Sequence, residues 1–109
     1  MAQRVALITG SGKRIGAATA SLLMDNDWFV FIHVRSSVAE AEEILQQFEQ
    51  KSGSKAPAEI VQADLNNDDE LASLIQTILS HEKVKSCGGL HALIHNASIY
   101  SSQDYKLVS

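Results

Sequence analysis

One cysteine, Cys87, occurs in the 109 residues, so the chain has no internal disulfide and no cysteine cluster for zinc. That usage fits a reducing compartment, and the cytoplasm is the expected location. Positive charge is also scarce. Thirteen acidic against nine basic side chains give a formal net charge of −4, which excludes a broad cationic surface for nucleic acid or an anionic membrane. Any anion must therefore be bound locally. No apolar run approaches the ~20 residues of a spanning helix, and the N-terminus enters "VALIT" without a signal-type apolar region. The expectation is a soluble, untargeted protein of one domain, shorter than most complete nucleotide-dependent enzymes.

Four short apolar runs have strand length: "RVALIT" (4–9), "WFVFIHV" (28–34), "EIVQAD" (59–64) and "LHALIHNA" (90–97). Helical periodicity fills the gaps between them. Ile15, Ala18, Leu22 and Leu23 form one stripe; Val38, Ala41, Ile44, Leu45 and Phe48 a second; Leu71, Leu74, Ile75, Ile78 and Leu79 a third. Ser37 with Glu40 has the spacing of a capping box, as does Asn67 with Glu70. Turn chemistry stands at "DND" (25–27), "KSGSKAP" (51–57) and "SCGG" (86–89). The acidic runs "EAEE" (40–43) and "DDE" (68–70) belong on exposed faces and first turns, where negative charge suits the helix dipole. The order is β-α-β-α-β-α-β, with two strands apolar on both faces, as parallel strands covered by helices are. This predicts an α/β fold: a Rossmann-like three-layer α/β/α sandwich, the first half of a doubly wound parallel sheet in spatial order 3-2-1-4.

In such a sheet the loop after the first strand is the principal ligand contact. Here it is "TGSGKRIG" (9–16). Gly10 permits a tight turn, Gly12 lets a pyrophosphate approach the backbone, and Gly16 lets the helix pack close to the strand. Ser11 and Ile15 lie between these glycines, while Lys13 and Arg14 add positive charge at a helix N-terminus. The spacing G-x-G-x-x-x-G is one residue longer than the common dinucleotide fingerprint, and the G-K-[ST] ending of a P-loop is missing. A glycine-rich turn with two solvated cations is the plain alternative.

An NAD-preferring site places an acid about 20 residues past the glycines, at the end of the second strand. This chain has Arg35 there, followed by Ser36. A guanidinium cannot accept bonds from a ribose 2′-OH, but it pairs with a 2′-phosphate, so NADPH is expected over NADH. An ordinary surface arginine is the competing reading. Among the histidines, His91 and His95 share one face of a strand and lack the helical spacing of a zinc pair, while His33 and His81 have no partner in sequence; no metal site is expected.

Thr9-Gly10 with Gly16, Arg35-Ser36, Asp64-Leu65 and "HNAS" (95–98) together resemble the short-chain dehydrogenase/reductases over nearly the whole chain. That family's first motif is usually T-G-x-x-x-G-x-G, whereas Arg14 stands at the middle glycine here. "TGSGKRIG", "HVRSS" and the serine-ended "NAS" resemble the pteridine reductase branch, which reduces dihydropterins or dihydrofolate with NADPH. The resemblance implies that Arg14 reaches the cofactor phosphates and the pterin, and that Arg35 and Ser36 hold the 2′-phosphate. It further implies that Asp64 accepts from the adenine amino group beside the Leu65 backbone, and that Asn96 and Ala97 line the cofactor ribose. Ser98 would approach cofactor phosphate and pterin, and Tyr100 would stack on the pterin. Asp64 as a turn residue, Ser98 as a local cap and Tyr100 as loop packing are the bland rivals. His95 departs from the usual first Asn of "NNA".

The family's proton donor, a Tyr with a Lys four residues later, has no counterpart: Tyr100 is followed at that spacing by Asp104, and Tyr105 by Ser109. The expectation is a single NAD(P)-binding domain spanning 1–109 and truncated after its fourth strand, without catalytic residues. An outer edge left open there would expose Leu93 or Ile94 and favour a homo-oligomer or a complementing chain. The alternatives are a reductase of another carbonyl or acyl substrate, a non-catalytic nucleotide-binding or association module, and a non-functional remnant.

Overall fold

The computed structural model describes residues 3–10 and 14–95, the side chains of Arg14 and Ile15 excepted. Four strands, β1 (Arg4–Thr9), β2 (Trp28–Val34), β3 (Ala58–Gln62) and β4 (Ala92–His95), form one parallel sheet in the order β3-β2-β1-β4. Helices α1 (Arg14–Asp25) and α2 (Val38–Ser52) lie between the first three strands in sequence. Helix α3 (Asp68–Ser80) and the short α4 (Glu82–Ser86) lie between β3 and β4. The first two crossovers step one way across the sheet and the third steps back over it. Right-handed connections therefore put α1 and α2 on one face and α3 on the other.

The side-chain alternation of the central strands feeds both layers. Val5 and Leu7 of β1 with Phe29 and Phe31 of β2 form one core with Leu74, Ile78 and Val84. Their alternates, Ile8, Val30, Ile32 and Val34, form the other with Ala20, Met24, Ala41 and Ile44. Val5 through Thr9 and Phe29 through Val34 are all buried, as expected for parallel strands covered on both sides. β4 is different. Ile94 packs against the α1 and α2 core, whereas Leu93 is 62% exposed, so of the two residues expected at an open edge it is Leu93 that faces out.

Four local expectations are corrected. The inner face of α1 carries Ala20 and Met24, while Ala18 and Leu22 face solvent. A two-residue offset is about 200° around a helix, enough to turn a stripe from core to water. The run at 59–64 ends as a strand at Gln62, and Ala63 and Asp64 lead into a turn at Leu65 and Asn66. Ser37 does start α2, but its side chain makes no capping bond; φ −90°, ψ 47° departs from the extended backbone usual at that position. Finally, a second, short helix, α4, stands between α3 and β4 where the sequence predicts one helix; five residues are too few to show a period. His81 caps it, its Nδ1 accepting the Lys83 amide, and Val84 anchors it in the core.

The cap at Asn67 is present: its side-chain oxygen accepts from the Asp69 and Glu70 amides. Glu70, however, does not reach back to Asn67 but accepts from the Asp64 amide at 2.9 Å. The first turn of α3 is thereby tied to the exit of β3.

Candidate functional site

Because all four strands run parallel, their carboxyl ends share one rim of the sheet. The chain leaves β1 toward β2 on one side, while β4 arrives on the other, so the crevice between β1 and β4 is the topological switch point where ligands of such sheets sit. Gly10 closes β1 with φ 69°, a left-handed value that costs a side-chain-bearing residue about 1 kcal/mol or more. Helix α1 begins only four residues later at Arg14, and Gly16 is buried in its first turns. The first amides of such a helix have no intrahelical partner and face the rim. Ser11, Gly12 and Lys13 lie outside the described residues.

The strand ends are cross-linked by two histidines. His33, only 2% exposed, accepts the Gly10 N–H on Nδ1 at 3.2 Å. Its Nε2 lies 2.8 Å from the Ala63 carbonyl, so Nε2 carries the proton and donates. One imidazole thus joins the first residue of the glycine loop to the exit of β3 across the end of β2. The sequence signal is a polar residue inside the apolar run "WFVFIHV". At the switch point Thr9 Oγ1 and His95 Nδ1 meet at 2.8 Å, from register-paired positions of β1 and β4. This contact gives His95 a role, joining the two strands that flank the crevice.

Arg35 follows β2 directly and Asp64 follows β3. Arg35 Nη2 stands 3.6 Å from Asp64 Oδ2, with side-chain exposures of 67% and 31%. At that exposure the pair is worth about 0.2–1 kcal/mol. The Arg35 carbonyl also accepts from Gln62 Nε2 at 3.1 Å, which fixes the backbone from which the guanidinium projects. Ser36, next in line, is exposed, and Leu65 is held by packing against the Val5 and Phe29 core. Five of the expected residues, Gly10, Arg35, Ser36, Asp64 and Leu65, are therefore placed along one rim by β1, β2 and β3, and the backbone of Arg14 and Gly16 belongs to the first turns of α1. Asn96, Ala97, Ser98 and Tyr100 come just after the end of β4 in sequence and lie outside the described residues. Among the described residues no three His, Cys, Asp or Glu side chains are grouped to hold a metal, and no helix is long and apolar enough to cross a membrane.

Residues 4–109 match the short chain dehydrogenase family. The chain belongs to that family. The short-chain dehydrogenase/reductase homolog YusS of Bacillus subtilis (strain 168) is 34% identical over 96 residues, covering 88% of this chain and 81% of that protein. A dihydromonapterin reductase of Enterobacter sp. (strain 638) is 32% identical over 101 residues, covering 93% of this chain and 36% of that protein. Among solved structures, a metagenomic short-chain oxidoreductase in complex with NADP superposes with a TM-score of 0.72 at 25% identity, covering 91% of this chain and 41% of that one. The chain thus spans most of one relative and about two-fifths or less of the other two proteins.

Proposed function

We propose that residues 1–109 form the cofactor-binding half of an NADPH-dependent short-chain oxidoreductase that reduces a dihydropterin or dihydrofolate. The observation that carries the cofactor reading is Arg35 at the carboxyl end of β2, beside the glycine turn at Gly10. A cation at that position answers a 2′-phosphate, and an acid would answer a 2′-hydroxyl. The residues present fit the group. Gly10 turns the backbone away from β1, the free amides at the start of α1 face the rim, and Arg35 with Ser36 offers charge and a donor. NADPH supplies the hydride when bound. In this reading Ser11, Gly12, Lys13, Arg14, Ile15 and Gly16 cradle the diphosphate, Asp64 and Leu65 border the adenine, and Asn96, Ala97 and Ser98 border the ribose and phosphates.

Arg14, Ser98 and Tyr100 carry the pterin assignment, supported by the likeness to a dihydromonapterin reductase. No Tyr-x-x-x-Lys pair occurs in the 109 residues, so this half binds and orients while proton delivery falls to residues supplied elsewhere. Those residues would come from a longer chain or from a second, complementing one, and the cytoplasm is the fitting location.

The test is a fluorescence titration of the folded chain with NADPH and with NADH, before and after Arg35→Glu. The expected result is a preference for NADPH that Arg35→Glu abolishes, with NADH affinity little changed. Equal loss for both cofactors would remove Arg35 from the 2′-phosphate site. In a complete enzyme, Arg14→Gly should damage pterin turnover more than cofactor binding; unchanged pterin kinetics would leave another carbonyl or acyl substrate as the reading.

A further inference from the structure

The acid and the base of the Arg35–Asp64 pair are not equally free. Asp64 is fixed at three points by its own turn: Oδ1 accepts the Asn66 amide at 3.0 Å, its N–H donates to Glu70 Oε1 at 2.9 Å, and its carbonyl accepts the Asn67 amide at 3.0 Å. Only Oδ2 is turned toward Arg35. Arg35 is held at its backbone by Gln62, but its guanidinium is two-thirds exposed and meets Asp64 at 3.6 Å without a close fork geometry. A stationary carboxylate therefore stands beside a movable cation.

We propose that Asp64 is a specificity-determining residue which competes with the cofactor 2′-phosphate for Arg35 and so keeps the site open to NADH. The inference rests on the reading of Arg35 as the 2′-phosphate ligand. A 2′-phosphate that takes the guanidinium either shares it with Asp64 or draws it away, and in both cases sits close to a carboxylate that its turn holds in place. Like charges at that separation repel, and the exposed rim weakens the repulsion without removing it. A ribose 2′-hydroxyl meets the opposite situation. It carries no charge to be repelled, and the fixed carboxylate is an acceptor for its proton. Arg35 alone would give strong discrimination for the phosphorylated cofactor, and the adjoining acid reduces it.

The probes are 2′,5′-ADP and 5′-ADP, titrated calorimetrically into the 109-residue chain and into its Asp64→Asn, Arg35→Gln and doubly substituted forms at low salt. Asparagine retains an oxygen for the Asn66 amide, so the turn is preserved while the charge is removed. Asp64→Ser, which also supplies an oxygen there, serves if the asparagine form does not fold. Both probes carry adenine, so any change in the adenine contact cancels in their ratio. Wild type should prefer 2′,5′-ADP, Asp64→Asn should raise that preference by about three- to fivefold, and higher salt should shrink the gain. Arg35→Gln should abolish the preference in either background. If Arg35→Gln abolishes it but Asp64→Asn leaves it unchanged or lowers it, the proposal is overturned and the cofactor reading stands. If neither wild type nor Asp64→Asn shows a preference, or Arg35→Gln does not alter one, the cofactor reading fails and the proposal fails with it.

Discussion

The ring of His33 and the backbone amide of Gly10 meet at 3.2 Å where β1 ends and the glycine loop begins. The same ring donates to Ala63 at 2.8 Å, so loop position and the β3 exit are set by one buried side chain. His33→Leu keeps comparable bulk but leaves an amide and a carbonyl without this partner. The expected cost is about 2–6 kcal/mol in urea unfolding, since each of the two unpaired polar groups costs about 1–3 kcal/mol. His33→Asn, which retains an acceptor or donor for one of the two, should lose less. A leucine variant as stable as wild type would show that neither bond contributes.

Two helix starts that look alike in sequence should respond differently to alanine. Asn67 accepts two amides at the start of α3, and Asn67→Ala should cost about 1 kcal/mol. Ser37 makes no side-chain cap bond, so Ser37→Ala should change stability by less than about 0.5 kcal/mol. Chemical denaturation of the two single variants checks the contrast. Equal losses would mean that Ser37 caps α2 in solution.

The two central strands were legible because burial on both faces leaves a distinctive mark. "VALI" and "WFVFI" contain no polar residue, and helical stretches between strands are what parallel pairing needs for its crossovers. Side-chain chemistry at strand ends was less legible. His33, His81 and His95 take partners from 10, 59 and 9, distant in sequence and adjacent only once the strands are in register. Capping boxes share this limit, because spacing fixes which residues can meet but not the backbone angle at the cap. Ser37 fails on that angle, and Glu70 is drawn to Asp64 by the turn before α3. For Arg35 and Asp64 the positions were readable, each at a strand end. Their pairing depended on β2 and β3 being neighbours with Gln62 tying Arg35 in place.

The contact between Thr9 and His95 predicts a measurable coupling across the switch crevice. In a cycle of Thr9→Val, His95→Ala and the double variant, the two changes should be non-additive by about 1 kcal/mol, the net worth of a typical hydrogen bond. Additive effects would mean that the two side chains do not hold β1 to β4. The His95 side chain is exposed enough for water to compete, so a coupling well above that value is not expected.

Leu7 and Leu93 are register partners on adjacent strands and point to the same face of the sheet, yet only Leu7 is covered by the core under α3 and α4. Leu7→Ala should therefore cost about 2–5 kcal/mol, the range for a buried leucine that leaves a cavity. Leu93→Ala, at 62% exposure, should stay within about 0.5 kcal/mol in the 109-residue chain. Protein concentration supplies the discriminating control. If Leu93→Ala proves costly and the cost grows with concentration, a second copy covers this face. If the cost is large and independent of concentration, residues after His95 fold back over it. A small cost at every concentration leaves Leu93 in water, where Leu93→Lys should improve solubility by placing charge beside β4, the edge strand of the sheet among the described residues.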